Sequence, residues 1–504
     1  MVLYFSNVMH FDLSGSANTT TNYLGIAFLL TLVGGFVSDT YMTRLNTCIL
    51  FNAIQLLVKF LSQVESSFHN LATFGKSNCV HSTKALLFYA SIGLLALGGG
   101  ADQFDSNDPE ERKHIASFFN WFLLSITMGA SIGVTFVVYV SSNFGWYKGF
   151  IISMSCAFAG LVFVALGKPY YRVRVPGESQ LLRVLEVLVV AVKNRRIEVA
   201  NSDELYEPLD RKSFSNGELI PHTNRFRRQE NGVCSVTQVE EVKILTRMMP
   251  ILLSTILMNT CLAQLQTFSV QQAKIMNTRI NGFDIPPASI PVIPVVFMSV
   301  LIPVYEFTFV PILRRITGHP NGITHLQRVG VGLVLSAISV GIAGIIEVRR
   351  KHEFNHHNHR ISLFWLSFHY SIFGIADLFT LVGLMEFFYK EAPAGMRSLS
   401  TSFSRLSLSI GYYLSAVFVD IINSVTGKLT KNKMEWLEGL DMNKNHVDLF
   451  YWFLAILSLL NFASYFFWAK CYKYKEDVPD DEETPLKMKI SCGQTIPKST
   501  IHDR

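Results

Sequence analysis

Charge is what this chain has least of. Only 16% of its 504 residues are Asp, Glu, Lys or Arg, against about 25% in an ordinary soluble domain. A solvated globular surface is therefore excluded for most of its length. Cysteine is also sparse: seven residues, at 48, 79, 156, 234, 261, 471 and 492, with no CxxC pair or other ligand spacing. That pattern implies neither a disulfide framework nor a zinc site. No basic segment precedes the first apolar residues, so "MVLYFSNVM" does not read as a signal peptide. A nucleophile–base set and a metal-ligand set are both missing, which argues against an enzyme. The net charge of +6 calls for no nucleic-acid partner, because the basic residues gather in short polar connections.

What fills the chain instead is apolar: 49% hydrophobic residues, 39 of them Phe. Long apolar stretches lie near 20–37, 45–65, 84–100, 117–140, 147–167, 243–265, 288–311, 326–347, 361–388, 398–423 and 448–471. Each is of a length to cross a bilayer core, which takes about 20 helical residues, except 84–100. That stretch runs into Gly98, Gly99 and Gly100 and then charge. With the opening residues read as the last turns of one more helix, twelve helices are expected, the first and fourth incomplete.

The spans divide six and six around a polar segment, giving an N-terminal bundle at 1–167, a linker at 168–242, a C-terminal bundle at 243–471 and a tail at 472–504. Basic residues place the linker in the cytoplasm by the positive-inside rule. Within it, Ser179 to Arg196 has the periodicity of an interfacial amphipathic helix. Alternation then puts 38–44, 101–116, 312–325, 389–397 and the tail inside. It leaves 10–19, 66–83, 141–146, 271–287, 348–360 and 424–447 outside. The sequon Asn18-Thr19-Thr20 falls in an outer loop, and "VRRKHEFNHHNHR" is a basic outer loop that runs against the rule.

Two bundles joined by a cytoplasmic linker are what an alternating-access transporter would show, although channels and receptors can also have many spans. Asp39 and Arg44 follow Gly34 and Gly35 in a tight inner connection, and Glu306, Arg314 and Arg315 recur at the matching place in the second half. Recurrence favours a gating role for these charges over ordinary capped turns. Pro294 and Pro303 in the eighth span are hinge candidates, since an interior proline frees a carbonyl and bends the helix; fixed kinks fit equally. Asn259, Gln264 and Thr267 of the seventh span, Asn120 and Trp121 of the fifth, and Glu386 with Tyr389 of the tenth are candidate solute contacts, with helix packing as the alternative. The histidines at 352, 356, 357 and 359 sit in a basic segment where metal binding is not expected.

"GADQFD", "SFFNWF", "VEEVKILTRMMPI", "AQLQTFSVQQ", "GHPNGITHLQRVGVGLVLSAIS", "LMEFFYKEAPAGMRSLSTSF" and "FYWFLAILSLLNFASYFF" resemble the plant nitrate/peptide transporter family. This is the proton-coupled oligopeptide branch of the major facilitator superfamily. The resemblance implies an all-α polytopic protein of two six-helix bundles, driven by a proton gradient and using no cofactor. It implies import of a small anionic solute such as nitrate, a plant hormone of the abscisic-acid kind or a small peptide. The "NTCLAQLQTFSVQQ" segment is most similar to the branch with abscisic-acid and nitrate carriers, although Leu262 stands where some nitrate-transporting relatives have a polar residue. The plasma membrane is the expected location, with the vacuolar membrane as alternative and both termini and the linker cytoplasmic. The partners implied are the bilayer, the solute and a homo- or heterodimer with a full-length relative.

Two departures qualify this. The family's E-x-x-E-R motif, whose acids take the coupling proton, occurs nowhere here, and neither does its fourth-helix G-G-[IV]-[KR] element. Asp377 matches the tenth-helix acid that pairs with that missing base, and an acid in mid-span is costly and usually functional. Arg405, on the following span, is either a substitute partner or a residue snorkelling to the inner interface; snorkelling is the favoured reading. The alternative to transport is a non-transporting family product, a regulatory partner or defective copy.

Overall fold

Helix ends in this chain are set by short polar signals. Asp12 caps the first long helix, α1 (Leu13–Thr40), by accepting from the Gly15 amide. Asn18 therefore lies inside a helix, not in the loop expected at 10–19, and its Nδ2 donates to Asp420 Oδ1 at 2.6 Å. Its amide is engaged in helix pairing, which corrects the expectation of an outer-loop sequon. Further along come a helical stretch around 124–137 ending in a π turn (Gly133–Val137), then α2 (Trp146–Gly167), α3 (Gln180–Lys193) and α4 (Val236–Lys274). A two-residue hairpin, β1 (Arg279–Ile280) with β2 (Phe283–Asp284), leads to α5 (Val292–Val304). The chain continues through a second π turn (Tyr305–Phe309) to α6 (Val310–Thr317), α7 (His325–His357), α8 (Leu366–Glu391), α9 (Arg397–Leu429) and α10 (Val447–Cys471).

The structure, a computed structural model, describes Ser6, most of 11–57 and 121–171, and all of 180–193, 236–280, 283–317, 323–392, 397–429, 435–437 and 442–472. The expected short span at 84–100 and the residues Asn120 and Arg44 lie outside it. Among the described residues seven helical stretches are long and apolar enough to cross a membrane: 151–170, 239–274, 292–317, 325–357, 363–388, 403–428 and 447–471. Everything described belongs to one unit, Met1–Tyr472.

Several ends differ from the sequence reading. The segment 348–360, expected as a loop, continues α7 as far as His357, where Asn358 turns the backbone left-handed (φ 49°) and stops the helix. Its basic residues are engaged. Arg349 lies over the Trp365 ring at 4.3 Å, Arg350 bonds Glu347 and Asn443, and Lys351 bonds Asp448 and the Asn445 carbonyl. His352 and His356 fall one helical turn apart, with ring centroids at 4.5 Å. Pro294 is in the first turn of α5, where proline suits a straight helix. Of the two expected hinges, only Pro303 adjoins an irregularity, the π turn that begins two residues later.

Close approach of α4 and α9 organises the second half. Ser407, Gly411 and Ser415 recur every four residues along α9 and present one small-residue stripe. Across it Thr255 and Asn259 bond Ser407 (2.8 and 3.0 Å), Thr260 donates to the Gly411 carbonyl (3.1 Å) and Gln264 Nε2 donates to Ser415 Oγ (2.5 Å). Contacts also join the two halves of the chain. Ser409 donates to the Gly25 carbonyl of α1 at 2.7 Å, and Ser299 of α5 donates to Thr127 at 2.9 Å. On α3, Val184, Val187 and Val190 pack against Val239 and Val242 of α4. Leu185, Leu188, Val189 and Val192 of the same helix stay exposed, as an interfacial helix requires.

A buried ionic network ties α4, α7 and α10. Glu347 has no exposed surface; Arg350 grips it with Nε and Nη2 (2.8 and 2.7 Å), and Gln272 of α4 donates to the same carboxylate at 2.7 Å. Arg350 Nη1 reaches Asn443 at 2.7 Å, just before α10. Glu347→Leu leaves Arg350 as an uncompensated buried charge, a loss of about 3–5 kcal/mol. Thermal unfolding in detergent should therefore fall sharply, and further than in a Glu347→Leu, Arg350→Met double variant.

A Cβ at Gly411 would stand 2.5 Å from Asn259 Cβ and 2.9 Å from the Ile256 carbonyl, whereas one at Gly341 meets nothing within 4 Å. Gly411→Ala should cost about 1–3 kcal/mol through overpacking. Gly341→Ala should be neutral or slightly stabilising, and the same unfolding assay compares the two.

Candidate functional site

Besides the Glu240–Lys243 and Lys351–Asp448 pairs, the helices bring three sets of charged side chains into the second half, and they differ in how completely they are paired. The Glu347–Arg350 network is the first and is saturated.

The second lies where α7 begins and α8 ends. Thr324 and Gln327 form a capping box that starts α7 and sets the first turn's direction. That turn aims Arg328 at α8, where Arg328 Nη1 donates to Glu386 Oε2 at 3.1 Å. His325 Nδ1 stands 3.2 Å from the same oxygen, out of hydrogen-bond alignment. The Arg328 guanidinium also lies 4.3 Å from the centre of the Tyr305 ring, a cation–π contact. Glu386, expected beside the solute path, is thus the acceptor of a three-helix cluster joining α7, α8 and the π turn after α5. Reading spans singly missed Arg328, His325 and Tyr305. The available signal was an arginine one turn inside an apolar span, since a charge there needs a partner.

The third set is Asp377 and Arg405. Asp377 is half-buried near the middle of α8, about 21 Å of helix from Glu391 at 1.5 Å per residue. Its neighbours Phe373, Ala376, Leu378 and Thr380 are all buried. Beyond Phe368, none of the described side chains of α8 is exposed. Asp377 is thus partly accessible on a helix that is otherwise packed over this stretch. Arg405 lies about 12 Å along α9 from Arg397, flanked by buried Ser404 and Ser407. The two act on each other electrostatically, although no ion pair within 4 Å joins them among the described residues. Arg405 is half-buried, and its Nε is buried without a hydrogen-bond partner among the described residues.

The remaining expected site residues are dispersed. Asn259 is half-buried on the α4–α9 seam beside this set. Gln264 is buried with its donor on Ser415, and Thr267 returns its hydroxyl to the Ala263 carbonyl at 2.8 Å, so both serve helix packing in this conformation. Gln264 shares the α9 seam with Asn259, farther along it at Ser415. Gln266, not singled out beforehand, accepts from the Tyr412 hydroxyl at 2.6 Å. Trp121 is exposed at 54%. Asp39 lies in the last turn of α1. Glu306 is half-buried in the π turn, while Arg314 and Arg315 are exposed in the last turn of α6, where positive charge suits the helix dipole.

Comparison with known proteins agrees with this architecture. The chain is 37% identical to the protein NRT1/PTR FAMILY 4.6 of Arabidopsis thaliana, over 94% of this chain and 90% of that relative. It is 37% identical to NRT1/PTR FAMILY 4.4 of the same plant, over 100% and 88%. Among solved structures it resembles the POT family transporter PepTSo, with a TM-score of 0.65 at 17% identity, covering 92% of this chain and 91% of that one. A POT family transporter in complex with 5-aminolevulinic acid superposes with a TM-score of 0.63 at 11% identity, over 93% and 91%. The POT family model matches residues 49–437. A chain of apolar spans with charges held inside the bundle, matched along nearly its whole length, thus belongs to the POT family of membrane transporters.

Proposed function

We propose that this transporter is a symporter that uses the proton gradient to import a small anionic solute by alternating access. Nitrate, a hormone of the abscisic-acid kind and a small peptide are the solutes considered, and no cofactor is invoked. The observation that carries the reading is Asp377: a half-buried mid-span carboxylate with no hydrogen bond or ion pair among the described residues. Carboxylates in that setting cycle protons in pumps and transporters. The α3 end of the bundle is taken as cytoplasmic, with the plasma membrane as the location. The charges at Asp39, Arg44, Glu306, Arg314 and Arg315 and the break after Pro303 are assigned to gating. The pairing of Arg328 with Glu386 is assigned to closing the cytoplasmic end.

Purified protein in proteoliposomes tests this with labelled nitrate and labelled abscisate under an inward proton gradient. Accumulation should depend on the gradient, and Asp377→Asn should reduce it to background while the protein still elutes as a folded species. No gradient-driven flux of either solute would leave the chain as a non-transporting family member. In the same assay Glu386→Gln and Arg328→Gln should each slow uptake, and the charge swap Arg328→Glu with Glu386→Arg should restore part of it. A swap no better than the single changes would remove the gate.

A further inference from the structure

The sequence argues against a metal at the histidines after Arg350, because that segment reads as a basic loop. In the fold it is helix, and the spacing changes meaning. His352, Glu353, Phe354, Asn355 and His356 form a His-Glu-x-x-His run inside α7. Two histidines four residues apart on a helix share one face, the spacing by which helices hold zinc. Here the rings of His352 and His356 stand 4.5 Å apart between centroids, and both residues are exposed. The His357 ring is farther off, 6.4 Å from that of His352.

The turn that carries the pair is held in place from both sides. Beyond it the Asn358 and His359 amides donate to the Phe354 and Glu353 carbonyls at 3.0 and 3.3 Å, closing the helix. Before it Arg350 bonds Asn443 and Lys351 bonds Asp448, which tie this part of α7 to α10 and its approach. The same contacts answer the charge objection. Arg350 is paired with Glu347, Lys351 with Asp448, and Arg349 lies over the Trp365 ring, so an arriving cation meets two imidazoles and not three free cations. The 33 residues of α7 make about 50 Å of helix, against a bilayer core of about 30 Å. Its last turns therefore stand in water, where a hydrated ion can exchange.

We propose that His352 and His356 form a site for a divalent transition-metal ion at the end of α7 remote from Arg328. Imidazole suits copper, nickel and zinc, with copper(II) bound most tightly of the three; magnesium and calcium take oxygen ligands instead. Among the described residues no set of three His, Cys, Asp or Glu is placed to hold an ion. The site is therefore a two-point chelate with water in the remaining positions, and no hydrolytic step is attached to it. An ion there bridges successive turns of α7 and stabilises the helix end that Arg350 and Lys351 fasten to its neighbours. The site is independent of the symport reading.

The test is metal binding by the full purified chain, prepared without a histidine tag and with its accessible cysteines alkylated. Copper(II), zinc and magnesium chlorides are titrated at pH 7.5 and 5.5 and followed by thermal unfolding, with electron paramagnetic resonance for copper. The tightest equivalent of copper should show imidazole nitrogen coupling, raise the unfolding temperature and leave at pH 5.5, because a ligating imidazole must be neutral. Zinc should act more weakly and magnesium not at all. His352→Ala and His356→Ala should each weaken copper binding roughly 100-fold, the scale of holding two donors together. His359→Ala, beyond the helix end, should leave it unchanged. Both altered positions are exposed, so an unchanged unfolding temperature of the metal-free variants separates a lost ligand from a lost fold. Copper without nitrogen coupling in the unaltered protein, an affinity unmoved by either substitution, an equal loss in His359→Ala, or a response to magnesium as strong as that to zinc overturns the proposal.

Discussion

A charge inside an apolar span has no water to turn to, and the second half of this protein is arranged around that constraint. Glu347 and Arg350 answer it by mutual saturation, with Gln272 and Asn443 absorbing what remains. Arg328 divides itself between the Glu386 carboxylate and the Tyr305 ring. Each solution also joins elements: α4, α7 and the approach to α10 in the first case, α7, α8 and the π turn in the second. Charge neutralisation and helix assembly are therefore the same contacts. Against these, Asp377 stands out as a mid-span carboxylate with no hydrogen bond or ion pair among the described residues.

The close seam between α4 and α9 meets the same constraint by other means. Ser407, Gly411 and Ser415 let the helices approach until backbone meets side chain, and the polar groups of α4 that face the seam, Thr255, Asn259, Thr260 and Gln264, find their partners there and not in water.

Much of this was legible before the fold was. Apolar runs placed α2 and α10 to within a residue and located α5, α8 and α9 with ends off by up to seven, because a span must be long and uninterrupted whatever surrounds it. The mid-span position of Asp377 was equally plain. Helix ends and partners were not. Segment 348–360 looks like a loop because it is charged and rich in histidine, yet contacts made far away in sequence, to Trp365, Asn443 and Asp448, hold it helical. Asn18 looked like an outer-loop sequon because its tie to Asp420 crosses some 400 residues. Glu386 and Gln264 looked alike, polar residues in spans; only packing shows that one meets an arginine and the other a serine. Partner identity is a property of three dimensions, and periodicity carries none of it.

The hydrogen bond between Thr127 and Ser299 has one more implication. It joins a helix of the first half to one of the second, and each of these helices relaxes into a π turn six residues farther on, at Gly133 and at Tyr305. A π turn is a compliant segment, wider and less well bonded than the α-helix on either side. In both helices the pinned residue therefore sits in regular α-helix and the wider turn lies six residues along the chain, so the tie between the halves falls on the better-bonded part of each rod.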